Sequence, residues 1–219
     1  MKIWVSGTVK EVIEISKTGL IEAVVTNPTV ISEWAESGQS LEELAKYVVE
    51  ETGLPLYIQL KGPKFDDFRR ECDYLKQISE KIIPKIPSTL DGISAAGLLE
   101  KQGIETLVTT VCSINQAYAC AAVGISTICP YYNRIKDNGV DADALFTSII
   151  SMYKNNKVDT KIIPASIRSA HDVAVALKNG CNGVIIFKKV FDELFENDVT
   201  NQSLQEFEKD WNNIIYHFH

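Results

Sequence analysis

"KIIPKIPST", residues 81–89, is the stretch on which the reading of this chain turns. Three isoleucines, Ile82, Ile83 and Ile86, stand around one lysine, Lys85, which has a proline on either side. The run reads as a strand buried among apolar neighbours. An ammonium there is costly unless it is paired or gives up its proton. Lysines also favour surfaces, so the rest of the chain has to decide which reading holds.

Working outward, seven further short apolar runs have the same character: residues 2–5, 21–25, 56–60, 106–111, 126–131, 161–166 and 183–187. Between them lie segments with helical spacing. "SLEELAKYVVEETG" opens on Ser40 with Glu43 three residues on, a capping-box pattern, and closes at Gly53. Similar segments close at Gly19, Gly103 and Gly180. Eight strands alternating with helices in one chain of 219 residues predict a single-domain (β/α)8 barrel with a C-terminal helix. An open doubly wound sheet is the alternative. No linker, low-complexity tract or domain boundary interrupts residues 1–219.

In a barrel, chemistry gathers at the C-terminal ends of the strands. Those ends carry Ser6, Thr26, Asn27, Gln59, Lys85, Thr109, Tyr131, Arg134, Ser166 and Arg168. A plain polar network filling the mouth would also place such residues there. The chemical alternative explains Lys85 better. A desolvated amine is nucleophilic and condenses with a carbonyl to give an imine, which acts as an electron sink. Tyr131 and Gln59 suit the accompanying acid/base work. Arg134, Arg168 and the Ser166 hydroxyl, with amides at a helix start near residue 167, suit an anionic group.

Bulk properties narrow the field. The net charge of −7 gives no support to nucleic-acid or membrane-surface binding. No apolar run approaches the roughly 18 residues of a membrane span, and "MKIWVSGTVKEV" lacks the longer apolar stretch of a signal peptide. The five cysteines form no CxxC pair, so they are expected to be reduced and mostly buried in a cytoplasmic protein. Only His171, His217 and His219 are available as imidazole ligands, so no metal site is expected. His171 reads as a surface residue, Lys188 and Lys189 as an exposed pair, and "GPKFDDFRRE" (62–71) as a solvated helix face.

The motifs together resemble the small bacterial transaldolase-like family, and within it the fructose-6-phosphate aldolases. "VVTNPTVI" resembles the family's strand-2 motif and "PKIPST" its Schiff-base lysine strand. "CPYYNRI" is similar to its strand-6 motif, "PASIRS" to its phosphate motif and "FEKDW" to its terminal helix. The resemblance implies a Schiff base on Lys85, a donor site lined by Thr26 and Asn27, and a catalytic water held by Gln59, Thr109 and Tyr131. True transaldolases tend to have glutamate and phenylalanine in place of Gln59 and Tyr131, so this set leans toward aldolase. Arg134, Ser166 and Arg168 match the acceptor-phosphate pocket. No cofactor is implied, and the partner is a small sugar phosphate. The chain departs from the family at Ser6, where a strand-1 aspartate is usual, and in "TVCSINQAY" (110–118). Loss of that aspartate raises the alternative of a non-catalytic sugar-phosphate binder.

The C-terminal segment sets Leu204, Phe207, Trp211, Ile214 and Phe218 on one helical stripe, over about residues 202–218. The stripe packs either on its own barrel or, as the family's exchanged helix implies, on a neighbouring subunit of a pentamer or decamer. A homo-oligomer is the expectation.

Overall fold

The structure, a computed structural model, describes residues 1–214. The chain runs β1 (Lys2–Ser6), α1 (Val9–Ser16), β2 (Ala23–Val25), α2 (Pro28–Ala35), α3 (Leu41–Thr52), β3 (Leu56–Gln59) and α4 (Phe65–Ile78). There follow β4 (Ile82–Pro87), α5 (Leu90–Lys101), β5 (Leu107–Val111), α6 (Ile114–Ala122), β6 (Thr127–Pro130), α7 (Tyr132–Asp137) and α8 (Ala142–Asn155). The chain ends with β7 (Lys161–Ile162), α9 (Ala170–Lys178), β8 (Gly183–Phe187), α10 (Lys188–Glu193) and α11 (Asp198–Trp211).

All eight strands pair in parallel, in the order β7-β6-β5-β4-β3-β2-β1-β8. Two backbone bonds bring β8 round to β7: Asn182 N–H donates to Ile162 O (2.9 Å) and Ile185 N–H to Pro164 O (2.8 Å). The barrel is therefore nearly closed, and the open-sheet alternative falls. The seam is incomplete for a local reason. Ile162 and Pro164 face β8, and Pro164 has no N–H to give. This also shortens β7 to two residues where the sequence suggested six; Ala165 keeps only an isolated bridge to Tyr131.

The predicted caps are present. Ser40 Oγ accepts from Glu43 N, Glu43 reaches back to Ser40 N, and Gly53 closes α3 in the left-handed region at φ 67°. The charged stretch at 62–71 enters α4, which is not simply a solvated face: Phe68, Cys72 and Leu75 are buried on the barrel. The terminal helix begins earlier than expected and ends at Trp211. No side chain of α11 is buried among the described residues, and Leu204, Phe207, Trp211 and Ile214 are exposed. Among the described residues the stripe is therefore not buried against its own barrel. Phe218, His217 and His219 lie outside the described residues.

Two cores result from strand alternation. Val5, Val24, Leu56, Ile58, Ile82, Ile86, Val108 and Ile128 face the helices. Trp4, Ala23, Val25, Tyr57, Ile83, Leu107, Cys129, Tyr131, Ile163 and Ile185 fill the barrel. Within that interior, Trp4 and Tyr57 stack at 4.6 Å and form an apolar floor toward the N-terminal ends of the strands. The side chains on the same face one strand-repeat nearer the C-terminal ends are Ser6, Gln59, Lys85, Thr109 and Phe187. This parity is what puts a lysine inside.

Candidate active site

Lys85 is 2% exposed. Its Nζ donates to one acceptor, the backbone carbonyl of Thr26, at 2.8 Å. That partner is neutral. Burial therefore pushes the amine below its ordinary pKa; nearby Cys129 works partly against it, and the Arg134 guanidinium adds a smaller lowering effect. The same burial pushes the Cys129 thiol up. Both groups move toward their neutral forms, so the wall beside Lys85 holds no ion pair.

A cavity of about 200 Å³ opens above this floor, small enough for one sugar-sized molecule. Lys85, Ser6, Thr26, Asn27, Tyr131, Arg134 and Ser166 all line it. Seven of the ten residues expected from the strand ends thus meet in one place. Asn27 also has a structural task, since its Oδ1 accepts from Val30 N (3.0 Å) and caps α2.

Thr109 lies deeper, and Gln59 is half-buried and does not line this cavity. Thr109 is fully buried and its Oγ1 donates to the Tyr131 hydroxyl at 3.3 Å. Tyr131 is buried, and desolvation raises its pKa above the ordinary phenol value, so it is a proton donor at neutral pH. Gln59 sits beside Lys85 in register. Its Oε1 is buried with no hydrogen-bond partner. Such an orphaned acceptor is uncommon and costs about 1–3 kcal/mol.

Arg134 stacks its guanidinium over the Tyr131 ring, 4.8 Å from the centroid. No carboxylate among the described residues pairs with it. Its donors remain available to an anion in the cavity, next to Ser166. Arg168 does not join them. It is exposed and forms a two-pronged ion pair with Asp137, 2.9 Å at Nη1 and 2.5 Å at Nη2. Some of the amides at the helix start near residue 167 are already engaged. The following helix, α9, starts at Ala170; Arg168 N–H donates to Asp172 Oδ2 (3.0 Å) and Ala170 N–H to Glu193 Oε2 (3.1 Å).

What holds this side of the mouth is a pair that sequence reasoning passed over. Asn133 Nδ2 donates to Ser166 O at 2.8 Å and to Asp172 Oδ2 at 2.7 Å. Both side chains are buried. Ser166 itself adopts a left-handed φ of 60°, a strained conformation for a residue with a side chain. The Asn133–Asp172 pair fixes that bend. A buried polar residue in "PYYNR" was the available signal, but its partner is 39 positions away.

The second departure in sequence has a local consequence too. Thr110 is left-handed at φ 59°, and the β5–β6 register shifts between Thr109 and Val111. This bulge breaks the strand alternation, so that Val111, instead of following Thr109 into the barrel, joins the helix-facing core. Ser88 Oγ donates to Thr110 O (2.9 Å), and Gln116 Nε2 to Ser88 O (3.3 Å), so the 110–118 loop is tied to the end of β4.

Elsewhere, the cysteines are all free, and every one but Cys112 is buried. No cluster of potential metal ligands exists among the described residues, and no helix is long and apolar enough to cross a membrane. His171 is exposed, as is Lys189, whereas Lys188 is half-buried between Glu14 and Asp192.

Comparison with known proteins agrees with this geometry. Residues 6–217 match the profile of the Transaldolase/Fructose-6-phosphate aldolase family. A protein of Chelativorans sp. (strain BNC1), described as a probable transaldolase, is 34% identical over 96% of both chains. Probable transaldolases of Caulobacter vibrioides and Thermoanaerobacter sp. (strain X514) are 33% and 30% identical, over 96% and 94% of each chain.

Proposed function

Because this chain belongs to the transaldolase/fructose-6-phosphate aldolase family, an enzyme family, we propose that it is a class I aldolase acting on a ketose phosphate such as fructose 6-phosphate, through a Schiff base on Lys85. One observation carries the reading: a buried lysine, depressed in pKa and bonded only to a neutral carbonyl, lines the same small cavity as an uncommitted arginine.

The neutral Lys85 amine attacks the C2 carbonyl of the open-chain ketose, and loss of water gives an iminium. The C3–C4 bond then breaks. Its electron pair flows into the iminium to form an enamine, while the C4 hydroxyl gives up its proton and becomes the aldehyde of glyceraldehyde 3-phosphate. The enamine takes a proton at C3, and water releases dihydroxyacetone and the free amine. Tyr131, with Thr109 bonded to its hydroxyl, suits the proton transfers, and a water held by Gln59 Oε1 would satisfy that orphaned acceptor. Thr26, Asn27 and Ser6 suit the hydroxyl groups; Arg134 and Ser166 suit the phosphate. Arg168 takes no direct part in this reading, since Asp137 engages it.

A transaldolase is the second reading, favoured by the names of the relatives. There the enamine attacks a second aldehyde before hydrolysis, and no free dihydroxyacetone appears. Gln59 with Tyr131 supports the aldolase. A binder without turnover is the third. The exposed stripe on α11 supports docking on a neighbouring subunit in a homo-oligomer, and five free cysteines support a reducing, cytoplasmic setting.

Borohydride reduction in the presence of fructose 6-phosphate tests the Schiff base. Mass spectrometry should find the adduct on Lys85, with none in Lys85→Met. An adduct on another lysine overturns the assignment. Assay of free dihydroxyacetone separates aldolase from transaldolase, and trapping without any release of product favours the binder.

A further inference from the structure

Glu33 contributes the one carboxylate among the residues lining the cavity, and nothing above gives it a task. Thr29, Val30 and Glu33 reach the cavity from α2, at spacings that share a helix face. That helix is well anchored. Asn27 caps its start, and Trp34, next to Glu33, is buried and donates its indole N–H to Gly7 O at 2.9 Å, just beyond Ser6. Glu33 forms no ion pair with any described lysine or arginine. It stands where the cavity meets a neighbouring surface groove, so its carboxylate is solvated and open to a ligand.

The topology gives this carboxylate a direction. The helix α2 follows β2 and α7 follows β6, and strands four places apart face each other across an eight-stranded ring. Glu33 and Arg134 therefore stand on opposite sides of the mouth, with Lys85 of β4 between them. One side is negative and the other positive.

We propose that Glu33 is the hydroxyl-recognising pole of the site. Its carboxylate accepts hydrogen bonds from hydroxyls at the carbonyl end of the ketose while Arg134 takes the terminal phosphate, which fixes the direction in which the substrate enters. A sugar with phosphate at both ends is rejected, because its second anion meets Glu33. This proposal rests on the ketose-phosphate reading above.

The test is competition in borohydride trapping. Fructose 6-phosphate is trapped over a range of concentrations, with and without fructose 1,6-bisphosphate. The wild type should bind the monophosphate better than the bisphosphate. Glu33→Gln, close in shape and at an exposed position, should narrow that preference about tenfold, the scale of one partly screened charge contact. Raised salt should narrow it in the wild type but not in the variant. Ser6→Asp placed in the Glu33→Gln background returns a carboxylate to the same side and should widen the preference again; if it does not, the assigned direction is wrong. Trapping that is intact with an unchanged preference in Glu33→Gln overturns the role of Glu33 alone. No trapping in the wild type overturns the Lys85 reading, and this proposal with it.

Discussion

Replacing Asn133 by alanine should unlatch the phosphate side of the mouth. The side chain is 8% exposed and makes two bonds, to Ser166 O at 2.8 Å and to the Asp172 carboxylate at 2.7 Å. A neutral bond is worth about 0.5–1.5 kcal/mol and one to a charged acceptor about 1.5–3. Their loss together predicts destabilisation of about 2–4 kcal/mol. With a urea m-value of roughly 3 kcal/mol/M, the unfolding midpoint should fall by about 1 M. Asn133→Asp should be worse, since it sets a second carboxylate against Asp172. Freed from the latch, the left-handed Ser166 should relax and Arg134, the next residue, should shift. The apparent KM for a phosphorylated ketose should then rise severalfold in Asn133→Ala, with a smaller change for an unphosphorylated one. Urea unfolding and paired kinetics check both halves. A midpoint shift below about 0.2 M, or equal KM changes for the two sugars, would refute the latch.

Three further outcomes follow from the site. The folded pKa of Lys85 is depressed, so the unfolded chain holds more protons from that pKa up to the ordinary 10.5; wild-type stability should gain on Lys85→Met with rising pH across this window, by up to about 1.4 kcal/mol per pH unit, and parallel pH–stability curves would show that the amine stays charged. Tyr131→Phe should lower turnover by roughly 10² while substrate binding changes little, and retained turnover would make Tyr131 a packing residue. Arg134→Ala should raise KM for phosphorylated substrates and leave unphosphorylated ones nearly unaffected, whereas equal losses would mean that Arg134 supports the barrel and binds no phosphate.

Strand periodicity made the barrel legible because parallel strands covered on both faces are apolar almost throughout, and the few polar positions then stand out. Lys85, Gln59 and Thr109 were found in this way. Arg168 shows the limit of the method. Its motif places it beside Ser166, but its direction depends on the left-handed turn at Ser166 and on Asp137, 31 positions earlier. The Asn133–Asp172 latch was hidden for the same reason. Glu33 was missed because it lies on a helix, where its neighbours in the cavity come from other strands. Local pattern fixes which face of an element is apolar; it does not fix which distant polar groups meet above it.

The reactivity ascribed to Lys85 depends on what lies beneath and beside it more than on the lysine itself. Trp4, Tyr57, Leu107 and Ile163 occupy the interior below, so water reaches the amine only from the mouth. Suppose a carboxylate stood within bonding reach. It would hold the ammonium charged, and the apolar floor would strengthen that pair by lowering the local dielectric. The Thr26 carbonyl at 2.8 Å instead accepts a hydrogen bond from either protonation state. It positions the nitrogen and, as a neutral dipole, favours the ammonium far less than a carboxylate would, so burial still shifts the equilibrium toward the free amine. Glu33 fits this logic because its carboxylate is solvated at the rim. Across water its field is weak, so it can receive substrate hydroxyls without recharging the lysine. An anion bound to Lys85 would have undone the chemistry; one held at the rim leaves the nucleophile intact and still tells the two ends of a sugar apart.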